Sequence, residues 1–94
     1  MIKERIRIKD LEPDAFTAMY GLVKYLDHSQ LNPAHKKLMM IRASQINGCA
    51  YCIDMHTIEA RRAGETEQRI YALSAWRDTP FFSEQERALL ALTE

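Results

Sequence analysis

Hydrophobic residues recur at helical spacing along most of the chain. A helix is predicted from Pro13 onward, because a proline in the first turn of a helix loses no hydrogen bond. Its apolar face consists of Phe16, Met19, Tyr20, Val23 and Leu26. Before it, three isoleucines alternate with charged residues over residues 1–9, and no second strand pattern follows. This stretch is therefore predicted to be an extended arm.

The same spacing predicts a second helix after a loop at residues 29–32. Asn32 is a good N-cap and Pro33 suits the first helical position. This helix carries its apolar residues at Leu38, Ile41 and either Met39 or Met40, and it runs to about Ile46. The dipeptide Asn47-Gly48 then breaks the pattern.

Three further helices are predicted in the second half of the chain. One begins around Cys49 and ends at Gly64, which suits the residue after a C-cap. The next carries core residues at Ile70, Leu73 and Trp76 and ends before Pro80. The last begins with the capping box Ser83 to Glu86 and carries its apolar residues at Ala88, Leu89, Leu90 and Leu92. The predicted fold is all-α, an antiparallel bundle of about five helices.

Composition narrows the class of protein. The 94 residues predict one domain, and 47% hydrophobic residues argue against disorder. Lys plus Arg and Asp plus Glu are both 13, so net charge favours neither nucleic acid nor an anionic membrane as a partner. No apolar run suggests a membrane span or a signal peptide, so a cytoplasmic location is expected. The last helix reaches Glu94 without a C-cap signal, which indicates a longer native chain or docking on another subunit.

The residues with the clearest chemistry are Cys49, Cys52 and His56. On a helix the positions i, i+3 and i+7 share one face, and Cys52 and His56 also form an i, i+4 pair. The start of the helix favours a thiolate, and the imidazole can take a thiol proton. A thiolate attacks peroxide oxygen, and a neighbouring thiol then closes a disulfide before overoxidation. The pattern therefore predicts a redox-active dithiol.

Other interpretations of these residues stay open. The cysteines can be small buried hydrophobes beside a core histidine. The three residues can also hold zinc, with His28, His35 or an acidic residue as fourth ligand. Otherwise His28 and His35 are predicted to be surface histidines. A thioredoxin fold is disfavoured, because the sequence before Cys49 is helical in pattern.

The segment from Arg42 to Thr79 resembles the AhpD-like alkylhydroperoxidases of the carboxymuconolactone decarboxylase superfamily. It reads RASQINGCAYCIDMHTIEARRAGETEQRIYALSAWRDT. The resemblance extends more loosely over residues 1–94, as a single AhpD-like core domain that relatives continue past its end. It implies an all-α fold assembled into a homo-oligomer, a trimer or hexamer.

The resemblance also implies roles for the dithiol. Cys52 attacks the peroxide and Cys49 resolves the product, although the helix dipole alone would favour Cys49 as the thiolate. His56 supports Cys52. Relatives carry a glutamate of a proton relay twelve residues before the first cysteine, where this chain has Lys37. Asp54 or Glu59 can replace that carboxylate.

The leading hypothesis is a thiol-dependent peroxidase with an antioxidant role. Its catalytic residues are Cys49, Cys52 and His56, and it needs no cofactor and no metal. Its partners are a hydroperoxide substrate, a thiol or disulfide-reductant protein, and further copies of the same chain. The alternatives are a metal-binding module and a non-catalytic oligomeric module of the same superfamily.

Overall fold

The structure, a computed structural model, describes residues 7–28 and 31–94. Within these ranges the secondary structure is helical and contains no strand, which confirms the predicted all-α class. The α-helices are α1 (Ile8–Leu11), α2 (Pro13–Asp27), α3 (Pro33–Asn47), α4 (Ala50–Arg62), α5 (Glu67–Ala72) and α6 (Glu84–Thr93). A 3-10 helix (Leu73–Asp78) follows α5 directly. The chain divides into two compact units, residues 1–30 and residues 31–94.

The first unit contains α1 and α2. The prediction of an arm is wrong for its last residues, because residues 8–11 form one helical turn closed by a hydrogen bond from Glu12 N–H to Ile8 O of 2.7 Å. Residues 1–6 of that predicted arm lie outside the described residues. Helix α2 begins at Pro13 as predicted. Of its predicted apolar face, Met19 and Tyr20 are each about half exposed and Phe16 is half-buried. The side chain of Leu26 lies outside the described residues.

The second unit begins with α3, whose two ends follow from local sequence. The side chain of Asn32 caps the helix by accepting a hydrogen bond from Ala34 N–H at 2.8 Å. At the other end Gly48 has φ 65°, a left-handed conformation that glycine adopts without steric cost. The N–H groups of Gly48 and Cys49 return to the carbonyls of Gln45 and Ser44, both at 3.1 Å. Helix α4 then begins at Ala50, so α3 and α4 meet at a corner of only two residues.

The fourth predicted helix is shorter than expected. It is regular only as α5, and the 3-10 helix that follows contains a non-helical backbone at Ala75 (φ −122°, ψ 34°). Thr79 is extended before Pro80, as the proline requires. Helix α6 begins with the predicted capping box, in which the side chains of Ser83 and Glu86 each accept the other residue's backbone N–H.

The core of the second unit joins α3, α4 and the helices that follow. It consists of Leu38, Ile41, Ala60, Ile70, Leu73, Trp76, Phe82 and Leu90. Six of these were predicted from apolar spacing, whereas Leu92, also predicted, is 76% exposed. Glu94 ties the end of α6 to α3, because its carboxylate accepts a hydrogen bond from Arg42 at 2.9 Å. It also accepts one from the indole N–H of Trp76 at 2.9 Å. This core and these ties fix the corner where the cysteines lie.

Candidate functional site

Cys49 occupies the N-cap position of α4. Its backbone is extended (φ −87°, ψ 100°), and its Sγ accepts a hydrogen bond from the backbone N–H of Cys52 at 3.2 Å. An N-cap acceptor satisfies one of the four N–H groups that the start of a helix leaves unpaired. The first cysteine is therefore a structural part of the helix start as well as half of the dithiol.

The two cysteines are joined by a disulfide. Their Cα atoms are 5.3 Å apart, which is within the range of ordinary disulfides. Both side chains are half-buried. The sulfurs lie at the positive end of α4, where the helix dipole and the unpaired N–H groups stabilise negative charge on sulfur after reduction.

His56 lies one turn beyond Cys52 on α4, and its side chain is only 14% exposed. Ala60, a further turn along the same face, is fully buried in the core. In the disulfide form, no hydrogen bond joins His56 to either cysteine among residues 7–28 and 31–94. The Nδ1 atom of His56 lies 3.5 Å from Oε2 of Glu59. The structure thus places Cys52 and His56 one turn apart on α4, with Cys49 at the N-cap of the same helix.

Two charged residues considered from the sequence form no ion pair with the residues of the site. Asp54 is exposed on α4 and does not approach His56 within ion-pair distance in the described part of the chain. Lys37 is half-buried on α3 and has no carboxylate within ion-pair distance among the described residues. Of the two carboxylates proposed as replacements, Glu59 is therefore the one beside the histidine.

A buried charged cluster in the second unit was missed by sequence reasoning. Glu86, 7% exposed, accepts hydrogen bonds from Arg69 on α5, and Arg69 also pairs with Glu65. His35 on α3 approaches the same carboxylate at 3.7 Å with its side chain 15% exposed, so the prediction that His35 lies at the surface is wrong. His28 is exposed, as predicted. The capping-box pattern identified Glu86 as a cap, but no local signal shows that it is buried.

The electrostatics of this cluster favour the ionised carboxylate. Burial is the largest single influence and raises the pKa of Glu86, but the hydrogen bonds from Arg69 and Ser83 and the charge of Arg69 together outweigh it. The pKa of Glu86 therefore lies below its ordinary value. The hydrogen bond to Glu86 likewise raises the pKa of Arg69 against the effect of burial. The cluster is a charged pair at neutral pH.

Within the described part of the chain, no group of three or more His, Cys, Asp and Glu side chains is arranged to hold a metal ion. None of the described helices combines the length and the apolar character that crossing a bilayer requires.

Comparison with known proteins identifies the family. The sequence profile of the Carboxymuconolactone decarboxylase family matches residues 12–94. The chain belongs to this family. The match covers α2 as well as the dithiol segment, so it confirms the resemblance seen in the sequence.

Individual relatives agree with this assignment. The uncharacterized protein YdfG of Bacillus subtilis (strain 168) is 45% identical over 93 residues, which are 99% of this chain and 63% of YdfG. The uncharacterized protein YnjA of Escherichia coli (strain K12) is 29% identical over 66 residues, which are 70% of this chain and 36% of YnjA.

A solved structure shares the fold. The crystal structure of ATU0492 from Agrobacterium tumefaciens, described as a "Putative Antioxidant Defence Protein AhpD", superposes with a TM-score of 0.90 at 45% identity. The alignment covers 97% of this chain and 62% of that one. The 94-residue chain described in this structure therefore spans less than two thirds of the length of YdfG and less than two thirds of the length of ATU0492.

Proposed function

We propose that the protein is a thiol-dependent peroxidase with an antioxidant role, using Cys52, Cys49 and His56. The observation that carries the proposal is the position of the cysteine pair. Both sulfurs lie in the first turn of α4, close enough to form a disulfide, with a buried histidine one turn further along. Family membership and the likeness to ATU0492 support the same chemistry.

The proposed reaction begins with the transfer of the Cys52 proton to His56. The Cys52 thiolate attacks one peroxide oxygen, the O–O bond breaks, and the departing alkoxide takes a proton from His56 to leave as an alcohol. Cys52 is then a sulfenic acid. His56 then takes the Cys49 proton, the Cys49 thiolate attacks the Cys52 sulfur, and an S–S bond forms as the S–O bond breaks. The departing hydroxide takes this proton back from His56 and leaves as water. A dithiol or a reductant protein returns the disulfide to two thiols and is itself oxidised.

The helix start gives each cysteine a distinct part in this cycle. A thiolate at Cys49 accepts the backbone N–H of Cys52 and lies at the positive end of α4. A stabilised thiolate is a good leaving group in thiol–disulfide exchange. We therefore expect the reductant to attack the Cys52 sulfur and to release Cys49 first. In this scheme His56 holds the proton between deprotonation of the thiol and protonation of the leaving oxygen.

Peroxide consumption in the presence of dithiothreitol tests the proposal. With tert-butyl hydroperoxide as substrate, Cys52→Ser is expected to reduce turnover to the level of dithiothreitol alone. Without dithiothreitol, Cys49→Ser is expected to consume one equivalent of peroxide and to leave a sulfenic acid that dimedone labels at Cys52.

The histidine is tested in the same assay. His56→Asn is expected to slow turnover by about a hundred-fold, which is typical of a positioned acid–base group. His28→Asn is the matched control, because His28 is exposed and outside the proposed site. Undiminished turnover by Cys52→Ser contradicts the proposal.

A homo-oligomer, a trimer or hexamer, is part of the proposal. It is supported by the large apolar side chains that α2 leaves exposed, among them Leu22 at 66% and Tyr25 at 72%. Leu22 and Tyr25 are three residues apart on α2, a spacing at which helical side chains are neighbours, and exposed apolar patches are typical of subunit contacts. Light scattering on the purified chain is expected to give a multiple of 10.9 kDa. A monomer that keeps its activity contradicts this part of the proposal.

A further inference from the structure

The Nδ1 atom of His56 is in an unusual position for a buried polar atom. It is inaccessible to solvent, and it makes no hydrogen bond with good geometry among the described residues. Buried polar groups nearly always have a partner, so an unpaired one calls for an explanation. The one carboxylate within ion-pair distance in the described part of the chain is that of Glu59, at 3.5 Å.

Glu59 is free to close this distance. Its side chain is 48% exposed, and its carboxylate has no other ion-pair or hydrogen-bond partner among residues 7–28 and 31–94. The residues are three apart on α4, a spacing at which helical side chains are neighbours. A change in the side-chain torsions of Glu59 brings its oxygen from 3.5 Å to the roughly 2.9 Å of a hydrogen bond. Asp54, two residues before His56, points away on the same helix.

A carboxylate beside Nδ1 has a definite chemical consequence. A neutral imidazole carries its proton on one nitrogen and accepts with the other, and the hydrogen bond made by one nitrogen decides which is protonated. With Nδ1–H donating to Glu59, the Nε2 atom is the acceptor. Once Nε2 has taken a thiol proton, the negative charge of Glu59 stabilises the imidazolium.

We propose that Glu59 is the positioning residue of the site: it holds His56 in the tautomer protonated at Nδ1, with Nε2 free to accept the thiol proton. The inference rests on the proposed peroxidase function for its catalytic consequence. The tautomer itself does not depend on that function.

The test is a long-range ¹H–¹⁵N NMR spectrum of His56 in the reduced protein, recorded at a pH where the imidazole is neutral. The wild type is expected to show a protonated Nδ1 and an unprotonated Nε2. Glu59→Ala is expected to move both ¹⁵N shifts toward the opposite tautomer. Asp54→Ala is the matched control, an exposed acid on the same helix, and is expected to leave them unchanged. Alanine suits a helix interior, so both variants are expected to fold.

Turnover adds a second readout. Glu59→Gln keeps an oxygen acceptor but removes the charge, so it is expected to preserve the tautomer and to lower kcat with KM unchanged. A fall of about ten-fold is expected, less than the roughly hundred-fold of the acid–base group itself, because Glu59 acts through His56. Wild-type ¹⁵N shifts in Glu59→Ala overturn the inference. A shifted tautomer in a protein without peroxidase activity supports the positioning role and refutes the proposed function, so the two failures are distinguishable.

Discussion

Substitution of Glu86 tests which interactions stabilise the second unit. The Glu86 carboxylate accepts hydrogen bonds from Arg69 Nη1 at 3.1 Å and Nη2 at 2.5 Å, and from the backbone N–H of Ser83 at 2.8 Å. The substitution Glu86→Gln keeps the shape of the side chain and an oxygen for Ser83. It removes the charge that faces Arg69 and places an amide NH₂ toward the guanidinium.

The expected loss in free energy of unfolding depends on the partners that Arg69 keeps in the variant. Deleting one partner of a buried ion pair costs about 3–5 kcal/mol, because the other charge is left uncompensated. Here Arg69 retains Glu65, with Nε to Oε2 at 3.1 Å, and the carbonyl of Phe81 at 2.9 Å. Its side chain is also 24% exposed, so water replaces part of the loss. We therefore expect Glu86→Gln to lower the free energy of unfolding by about 2 kcal/mol at neutral pH, close to one charge-assisted hydrogen bond.

The pH dependence supplies a second, independent signature. The pKa of Glu86 is lower in the folded protein than the value of about 4.3 of an unfolded glutamate. Its stabilising contribution is therefore complete above that unfolded value and is lost as the pH falls through the lower folded value. The difference in unfolding free energy between wild type and Glu86→Gln should be constant near neutral pH and shrink on acidification.

Urea unfolding followed by circular dichroism measures both effects. Glu84→Gln is the matched control, since Glu84 is an exposed acid in the first turn of the same helix. It is expected to change the unfolding free energy by less than about 0.5 kcal/mol. A Glu86→Gln effect no larger than the control's, or a difference that grows on acidification, would refute the account of this cluster.

Two further predictions concern the corner between α3 and α4. Cys49→Ala is expected to be about 1 kcal/mol less stable than Cys49→Ser under reducing conditions, because both lose the disulfide but only serine keeps an N-cap acceptor; equal urea midpoints would contradict the capping role. Gly48→Ala is expected to cost about 1 kcal/mol through backbone strain at φ 65°, since no atom crowds the added Cβ. Gly21→Ala in α2 is the control for Gly48→Ala, because no atom crowds its added Cβ either. In thermal unfolding experiments on both variants, Gly21→Ala should not destabilise the protein.

The elements that sequence predicted well are those whose ends are decided locally. The cap at Asn32, the left-handed Gly48 and the Ser83 capping box each depend on residues within one helical turn. The prediction for residues 8–9 was wrong because the single helical turn at residues 8–11 is too short to show a helical period.

The irregular end of the fourth predicted helix has a long-range cause. Arg87 on α6 donates to the carbonyls of Trp76 at 3.1 Å, Arg77 at 3.0 Å and Thr79 at 3.3 Å. These carbonyls are thus paired by a side chain eight to eleven residues away instead of by a continued α-helix. Spacing of apolar residues contains no information about such a partner, so the pattern predicted a regular helix.

In the candidate site, too, features decided by local sequence were predictable and features decided by other side chains were not. The shared face of Cys49, Cys52 and His56 follows from helical geometry alone and was predictable. The approach of Glu59 to His56 was one of two alternatives, because sequence does not say which acidic side chain turns inward. The approach of His35 to Glu86 was not predictable, since the two residues are 51 positions apart in the chain.

The corner between α3 and α4 also bears on the proposed redox cycle. Cys49 N–H is bonded to the carbonyl of Ser44, itself buried on α3, so the first cysteine is attached to the core independently of its sulfur. The spacing between the two cysteines is set by the first turn of α4, and at 5.3 Å between Cα atoms it already suits a disulfide. In the proposed cycle we therefore expect closing or opening the S–S bond to require side-chain rotation but no displacement of either helix.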